Sequence, residues 1–335
     1  MKTLYLVTRP ALLLTMLLPL ANFALADHPS FGFGSASGGI NTTSALPLAN
    51  NQWVFLSRGE FIDNDAFSDA ELEDFASQGI EEVHSTDSVF SVAVGLAYGI
   101  TDKTLLSLYL PYVKRTNIRE GEEHMPGEGE VEVLGDSAGI GDAVAQLQYQ
   151  AWQKNDLYAS LIAGIKLPTG ETSEKTNDGD PFELEFQPGS GSWDPILGFA
   201  ISKLSGRLAI DASMSYIFAT EGKQNTNLGD ILDYDISVGY RLTDSHVHNT
   251  NAAHTDSHWD ILLELNGESR ERATEDSIDK ANQGGTTIYL SPGIAFSTSS
   301  GFTGYLSLGL PVVNRLHGLQ SEPDYRIIAG LNWSL

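Results

Sequence analysis

Residues 88–100, SVFSVAVGLAYGI, alternate between two kinds of side chain. Phe90, Val92, Val94, Leu96, Tyr98 and Ile100 fall on one side of an extended chain, and Val89, Ser91, Ala93, Gly95, Ala97 and Gly99 on the other. The same period of two recurs downstream. In 157–167, Leu157, Ala159, Leu161, Ala163, Ile165 and Leu167 alternate with Tyr158, Ser160, Ile162, Gly164 and Lys166. In 207–219, Leu208, Ile210, Met214, Tyr216 and Phe218 alternate with Arg207, Asp211, Ser213 and Ser215, and in 232–242 Leu232, Tyr234, Ile236, Val238 and Tyr240 alternate with Asp233, Asp235, Ser237, Gly239 and Arg241. One face is bulky and apolar; the other is small or charged.

Twelve such segments are predicted, near 52–62, 87–100, 103–116, 139–153, 156–168, 191–203, 206–220, 228–243, 257–270, 285–298, 301–314 and 324–335. They exceed the 5–6 residues common in soluble sheets and approach the roughly 9–11 that a tilted strand needs to cross a bilayer. A soluble sandwich alternates too, with its apolar side inward, so length and connections decide. The short connections are Thr101-Asp102, Lys154-Asn155, Leu204-Ser205 and Ser299-Ser300, and the long ones are 63–86, 117–138, 169–190, 221–227, 271–284 and 315–323. Short periplasmic turns alternating with longer external loops characterise outer-membrane barrels, whose closure pairs every backbone group and leaves no edge. The predicted fold is therefore all-β, an antiparallel transmembrane β-barrel of about 12 strands with short periplasmic turns and long acidic extracellular loops. One connection breaks the rule: 244–256, DSHVHNTNAAHTD, is long where a short periplasmic turn belongs. Helical spacing in 66–78 predicts a short loop helix.

The ends of the chain sharpen this picture. Lys2 and Arg9, the apolar run ALLLTMLLPLANF and Ala24-Leu25-Ala26 form the pattern of a cleaved signal peptide over 1–26, which predicts export to the Gram-negative outer membrane. An N-terminal periplasmic segment, 27–51, then precedes a barrel over 52–335. No later run approaches the ~18 apolar residues of a spanning helix, which excludes a helical inner-membrane transporter. The final strand keeps Tyr325, Ile327, Ala329, Leu331, Trp333 and Leu335 on one face to the last residue, a pattern expected to engage the barrel-assembly machinery.

Charge narrows the partners. With 19 Lys+Arg against 44 Asp+Glu, the net charge of -25 excludes nucleic acid. Acid crowds 60–87 and 120–136, where divalent ions could bridge it to lipopolysaccharide phosphates beside outer-membrane lipid. The absence of cysteine says nothing about redox compartment. The polar strand face nominates Asp142, Lys166, Asp194, Arg207, Asp211, Asp235, Arg241 and Arg326 as lumen-lining groups, with Asp260, Glu264 and Gln146, Gln148 and Gln150 beside them. His246, His248, His254 and His258 are dense enough to bind zinc, copper or nickel. No serine, histidine and carboxylate are spaced for hydrolysis, and GFGSASGG at 32–39 neither follows a strand nor opens a helix, so neither an enzyme nor a cofactor is predicted.

Three ordered stretches, GIGDAVAQLQYQAW (139–152), LIAGIKLPTGE (161–171) and QPGSGSWDPILGFAISK (187–203), resemble the outer-membrane family named for the MetA pathway of phenol degradation. The matching positions are Gly139, Gly141, Asp142, Lys166, Pro168, Thr169, Gly170, Pro188, Gly189, Gly191, Trp193 and Asp194. The resemblance implies a channel or facilitator for passive uptake of small-molecule solutes, hydrophobic or aromatic ones included. The alternative is a non-transporting envelope or surface-binding barrel, with metal binding at 246–258 a third reading.

Overall fold

The computed structural model describes residues 38–80, 82–242 and 257–335. The signal-peptide assignment, the 244–256 connection and His246, His248 and His254 lie outside the described residues. The first strands are β1 (Trp53–Asp65), the three-residue β2 (Val83–Ser85), β3 (Ser88–Thr101) and β4 (Thr104–Met125), with helix α1 (Asp69–Ser77) between β1 and β2. Next come β5 (Glu128–Ile140), β6 (Ala143–Lys154), β7 (Leu157–Leu167), β8 (Asp194–Ser205), β9 (Leu208–Ile217), the two-residue β10 (Thr226–Asn227) and β11 (Ile231–Arg241). The chain finishes with β12 (His258–Arg270), the short β13 (Thr274–Glu275) and β14 (Ile278–Asp279), then β15 (Gly285–Ser297), β16 (Phe302–Leu316) and β17 (Glu322–Ser334).

Neighbouring long strands pair antiparallel in chain order, and the sheet closes where β1 pairs with β17 from Val54↔Ser334 to Asp65↔Glu322. Counting β5 and β6 as one stave, the barrel has the twelve staves that the period-two pattern predicts. The faces follow as well. Leu96, Leu108, Leu161 and Leu263 stand on the outside with 43–58% of their surface free, while Ser91, Ser107, Ser160 and Glu264 on the other face are buried. That is a soluble protein turned inside out, stable where the surrounding solvent is hydrocarbon.

Two predicted segments differ. The 117–138 connection is largely strand: β4 and β5 continue beyond the apolar belt as a hairpin that turns at Gly127, whose φ is +82°. The predicted strand 139–153 breaks at Gly141-Asp142, so β4 pairs with β6 over Thr104–Tyr109 and with β5 over Tyr112–Met125. The other edge of β5 is covered by the 169–190 connection, through Glu171 N to Ile140 O at 2.8 Å and Asn177 N to Leu134 O at 2.9 Å. Helix α1 lies within the 66–78 stretch and begins with a capping box in which Ser68 and Glu71 bond reciprocally.

The larger difference is at the N-terminus. Residues 40–46, which the sequence assigns to an N-terminal periplasmic segment over 27–51, lie inside the barrel, with Ile40, Asn41, Thr42, Ser44, Ala45 and Leu46 all buried. An extended segment with no strand partner carries unpaired backbone donors and acceptors, and the polar lumen is where they find partners.

Candidate transport pathway through the barrel

The segment that fills the lumen is held by side chains from six strands. Glu264 on β12 accepts from Asn41 N at 3.0 Å, Asn41 Nδ2 at 2.7 Å and Thr42 Oγ1 at 3.0 Å. Arg58 on β1 donates to Ile40 O at 3.2 Å and to Asn41 Oδ1 at 2.9 Å. Lower down, Thr43 N donates to Ser213 Oγ and Ala45 N to Ser202 Oγ at 2.8 Å, while Gln148 Nε2 and Ser160 Oγ donate to Ser44 O and Ala45 O. Ala45 and Leu46 pack among Tyr158, Ile162, Ala200, Leu204 and Ala209, which fills the lumen toward the end of the short turns. Asn51 N to Gly99 O at 2.8 Å returns the chain to the wall ahead of β1.

Above this plug a charged network spans the barrel. Arg326 lies 3.6 Å from Glu60, donates to Asn266 Oδ1 at 3.3 Å and stacks 4.1 Å over the Tyr289 ring. Glu60 also meets Arg58 at 3.3 Å, and Asp235 accepts from Asn266 Nδ2 at 2.9 Å. A cavity of ≈ 50 Å³ remains here, lined in part by Glu60, Asp233, Asp235, Glu268, Tyr289 and Arg326. An apolar cavity that takes benzene measures about 150 Å³, so this one does not hold a ring-sized solute unless its lining shifts.

The wall beside the cavity is incomplete. Pairing of β16 with β17 runs from Phe302↔Trp333 to Gly309↔Arg326 and stops, although both strands continue outward. The cause is local: β16 bulges at Val312, between Ile288↔Val313 and Tyr289↔Pro311, and β17 bulges at Asp324, between Asp63↔Tyr325 and Asn64↔Pro323. Pro311 and Pro323 add no backbone donors, and proline in a sheet sits where pairing is already interrupted. Asn314 Nδ2 bridges the gap to Pro323 O at 3.2 Å. Leu310 and Val312 keep the outer surface of this seam apolar, 45% and 54% exposed, and Gly309 leaves room behind it for Tyr289 and Arg326.

The nominated lumen residues separate into four settings. Asp235 and Arg326 line the cavity. Asp211, buried, accepts from Ser202 Oγ and thereby steadies the plug. Arg241 grips Asp260 through Nε at 3.0 Å near the periplasmic rim, where Arg207 is half-buried in the turn, and His258 lies on β12, 3.4 Å from Asp260, rather than in a free turn.

The fourth setting joins Asp142, Lys166 and Asp194 at the outer end of the wall. Lys166 Nζ lies 2.5 Å from Asp194 and 3.8 Å from Asp142. Asp142 accepts from Gly170 N and Ser190 N, both at 2.8 Å, and Asp194 accepts from Ser192 Oγ and Thr220 N. Thr169 Oγ1 accepts from Ala143 N, the Pro188 ring lies beside Gly139 with its carbonyl over Gly141, Gly191 turns at φ +72°, and Trp193 stays exposed. The three sequence motifs thus form one clasp that folds the 169–190 connection against the barrel. Gly170 and Gly189 cross backbone to backbone: a Cβ on Gly170 would lie 2.6 Å from Gly189 Cα, and beside Gly139 one would meet Glu171. Gly170→Ala is expected to cost about 1–3 kcal/mol by overpacking, read as a lower melting point of the compact band in a heat-shift gel.

Sequence reasoning did not single out Arg58, Tyr289 or the 40–46 segment, and it counted Glu60 among the loop acids of 60–87, whereas the side chain is buried in the lumen. Arg58 and Glu60 could have been found, because they sit at alternate positions to Phe55 and Phe61 in the first strand; the plug carries no periodic signal.

A family model described as "Putative MetA-pathway of phenol degradation" matches residues 74–320. Among solved structures, the COG4313 outer membrane channel from Pseudomonas putida F1 superposes with a TM-score of 0.56 at 13% identity, covering 87% of this chain and 98% of that one. A deletion mutant of the TodX monoaromatic hydrocarbon channel gives 0.50 at 10% identity, covering 90% and 96%. Identities this low carry the fold alone. No curated protein matches the sequence.

Proposed function

The chain belongs to the MetA-pathway phenol-degradation family, and from that membership we propose that it is a passive outer-membrane channel for small apolar solutes, aromatic ones among them. The observation that carries the reading is the unpaired β16–β17 seam standing next to the cavity and above a tightly bonded plug. A solute that reaches the cavity from outside meets a sealed lower lumen and an apolar side exit. The Arg326–Tyr289 stack closes that exit from within, and its displacement joins cavity to seam. The barrier an apolar solute needs help to cross is the polar headgroup layer, and a side exit into hydrocarbon bypasses it without any chemistry. The structural neighbours named as an outer membrane channel and a monoaromatic hydrocarbon channel share this barrel fold, and the second is named for solutes of the class proposed here.

Locking the seam tests this. The chain has no cysteine of its own, so Leu310→Cys with Tyr325→Cys, the next positions in register, can be joined selectively. The joined protein is expected to pass phenol several-fold more slowly than the same protein after reduction. Equal rates in the two states would remove the side exit.

The closed lumen also gives weight to a second reading, a barrel that seals its own interior and acts in the envelope without transport. Absence of solute flux in every variant would favour it.

A further inference from the structure

Outside the membrane, three connections converge on one histidine. His84 lies on β2, opposite Glu120 of β4, and its side chain is 11% exposed. Its Nε2 is 3.2 Å from Glu120 Oε2, and its Nδ1 is 3.3 Å from Glu185 Oε1, in the turn that ends at Phe186. The Phe186 ring meets the imidazole edge-on at 4.9 Å, fixing its plane. One donor atom each from His84, Glu183 and Glu185 lies within 4.8 Å of the others.

Burial opposes charge on His84, but Glu120 and Glu185 outweigh it and raise its pKa to about 9, so without metal each ring nitrogen carries a proton toward a carboxylate. A divalent ion can take the place of the Nδ1 proton, between the imidazole and the Glu185 oxygen 3.3 Å away. The spacing is informative: ligands about 2.0–2.1 Å from a tetrahedral zinc sit about 3.3 Å from one another. A carboxylate on the far nitrogen is how metal-bound histidines are oriented. The neighbouring charge also suits exchange of one cation for another. Lys280 contacts Glu183 at 3.7 Å but has closer partners in Glu275 at 2.7 Å and Glu82 at 3.0 Å, so Glu183 can turn to a metal without stranding the lysine.

We propose that His84 Nδ1, Glu183 and Glu185 bind a divalent first-row metal ion, zinc fitting the donor set and spacing, with Glu120 holding the imidazole from behind. The ion would tie β2, the outer hairpin of β4 and β5, and the 169–190 connection into one cap. This site is independent of the solute pathway.

The test uses full-length protein in detergent with His246, His248 and His254 changed to Asn, so that the His-rich stretch cannot chelate. After EDTA treatment, zinc is titrated against a chromophoric chelator, with calcium and magnesium as comparisons. A single zinc per chain is expected, with no comparable affinity for calcium or magnesium. His84→Ala should weaken binding by about 100-fold or more, and Glu120→Gln by about 10–100-fold. Glu185→Gln keeps the side-chain volume and serves if His84→Ala does not give a compact heat-shift band. Cobalt in place of zinc should give the intense visible absorption of a tetrahedral site, lost in Glu185→Gln. Zinc binding that is absent, or unchanged by His84→Ala and Glu185→Gln, overturns the proposal.

Discussion

Deleting residues 38–48 is expected to raise the ion conductance of the reconstituted barrel by about tenfold or more, because a barrel of this size is intermediate between those filled by side chains and those holding water. The deleted stretch is what occupies the periplasmic half. Its backbone accounts for bonds to Ser213, Ser202, Gln148 and Ser160, and Ala45 and Leu46 close the apolar floor. The wall does not depend on it, since every stave pairs with its neighbours without residues before Trp53. Glu264→Ala should give a smaller, intermittent increase. It removes the charged acceptor of Asn41 and Thr42, bonds worth about 1.5–3 kcal/mol each, but leaves the lower contacts. Planar-bilayer recording checks both. Unaltered conductance in the deletion would mean that the interior is closed by wall side chains alone.

Leu161→Arg is expected to cost about 2–4 kcal/mol of folding free energy in a lipid bilayer, as charged substitutions near the midplane of lipid-facing barrel walls do. Leu161 sits mid-strand in β7 with 58% of its surface exposed. Its neighbour Ser160 points inward and donates to Ala45 O at 2.7 Å. Ser160→Ala should therefore cost only about 1 kcal/mol, the net value of one neutral hydrogen bond. Equilibrium unfolding in urea with vesicles present measures both. If arginine at 161 were as mild as alanine at 160, the exposed leucines would be facing water.

These two residues also show how far the sequence could be read. Adjacent Ser160 and Leu161 belong to opposite worlds because a strand's side chains alternate, and that rule predicts the staves, their facing and their even number without any tertiary knowledge. It cannot predict the plug. INTTSAL is short, polar and without period, and its place inside the barrel depends on partners such as Glu264 more than two hundred residues away. The outer hairpin is a different miss. Glu128, Glu130 and Glu132 alternate with Gly129, Val131 and Val133, so the strand signal was present but masked by the density of charge. For the clasp, the polar face nominates Asp142, Lys166 and Asp194 as lumen-lining groups, and only the fold shows them bonded to one another and to a folded-back connection. The seam needed the structure as well, because Pro311 and Pro323 mark weak pairing but do not reveal that the two bulges face each other.

The most direct test is to follow ion conductance and phenol uptake together for the unmodified protein in asymmetric vesicles whose outer leaflet is lipopolysaccharide. The predicted result is phenol uptake well above protein-free vesicles while ion conductance stays near their baseline. Steady ion conductance of an open pore, or phenol uptake no faster than through lipid alone, would contradict a barrel that is sealed below and opens at its side.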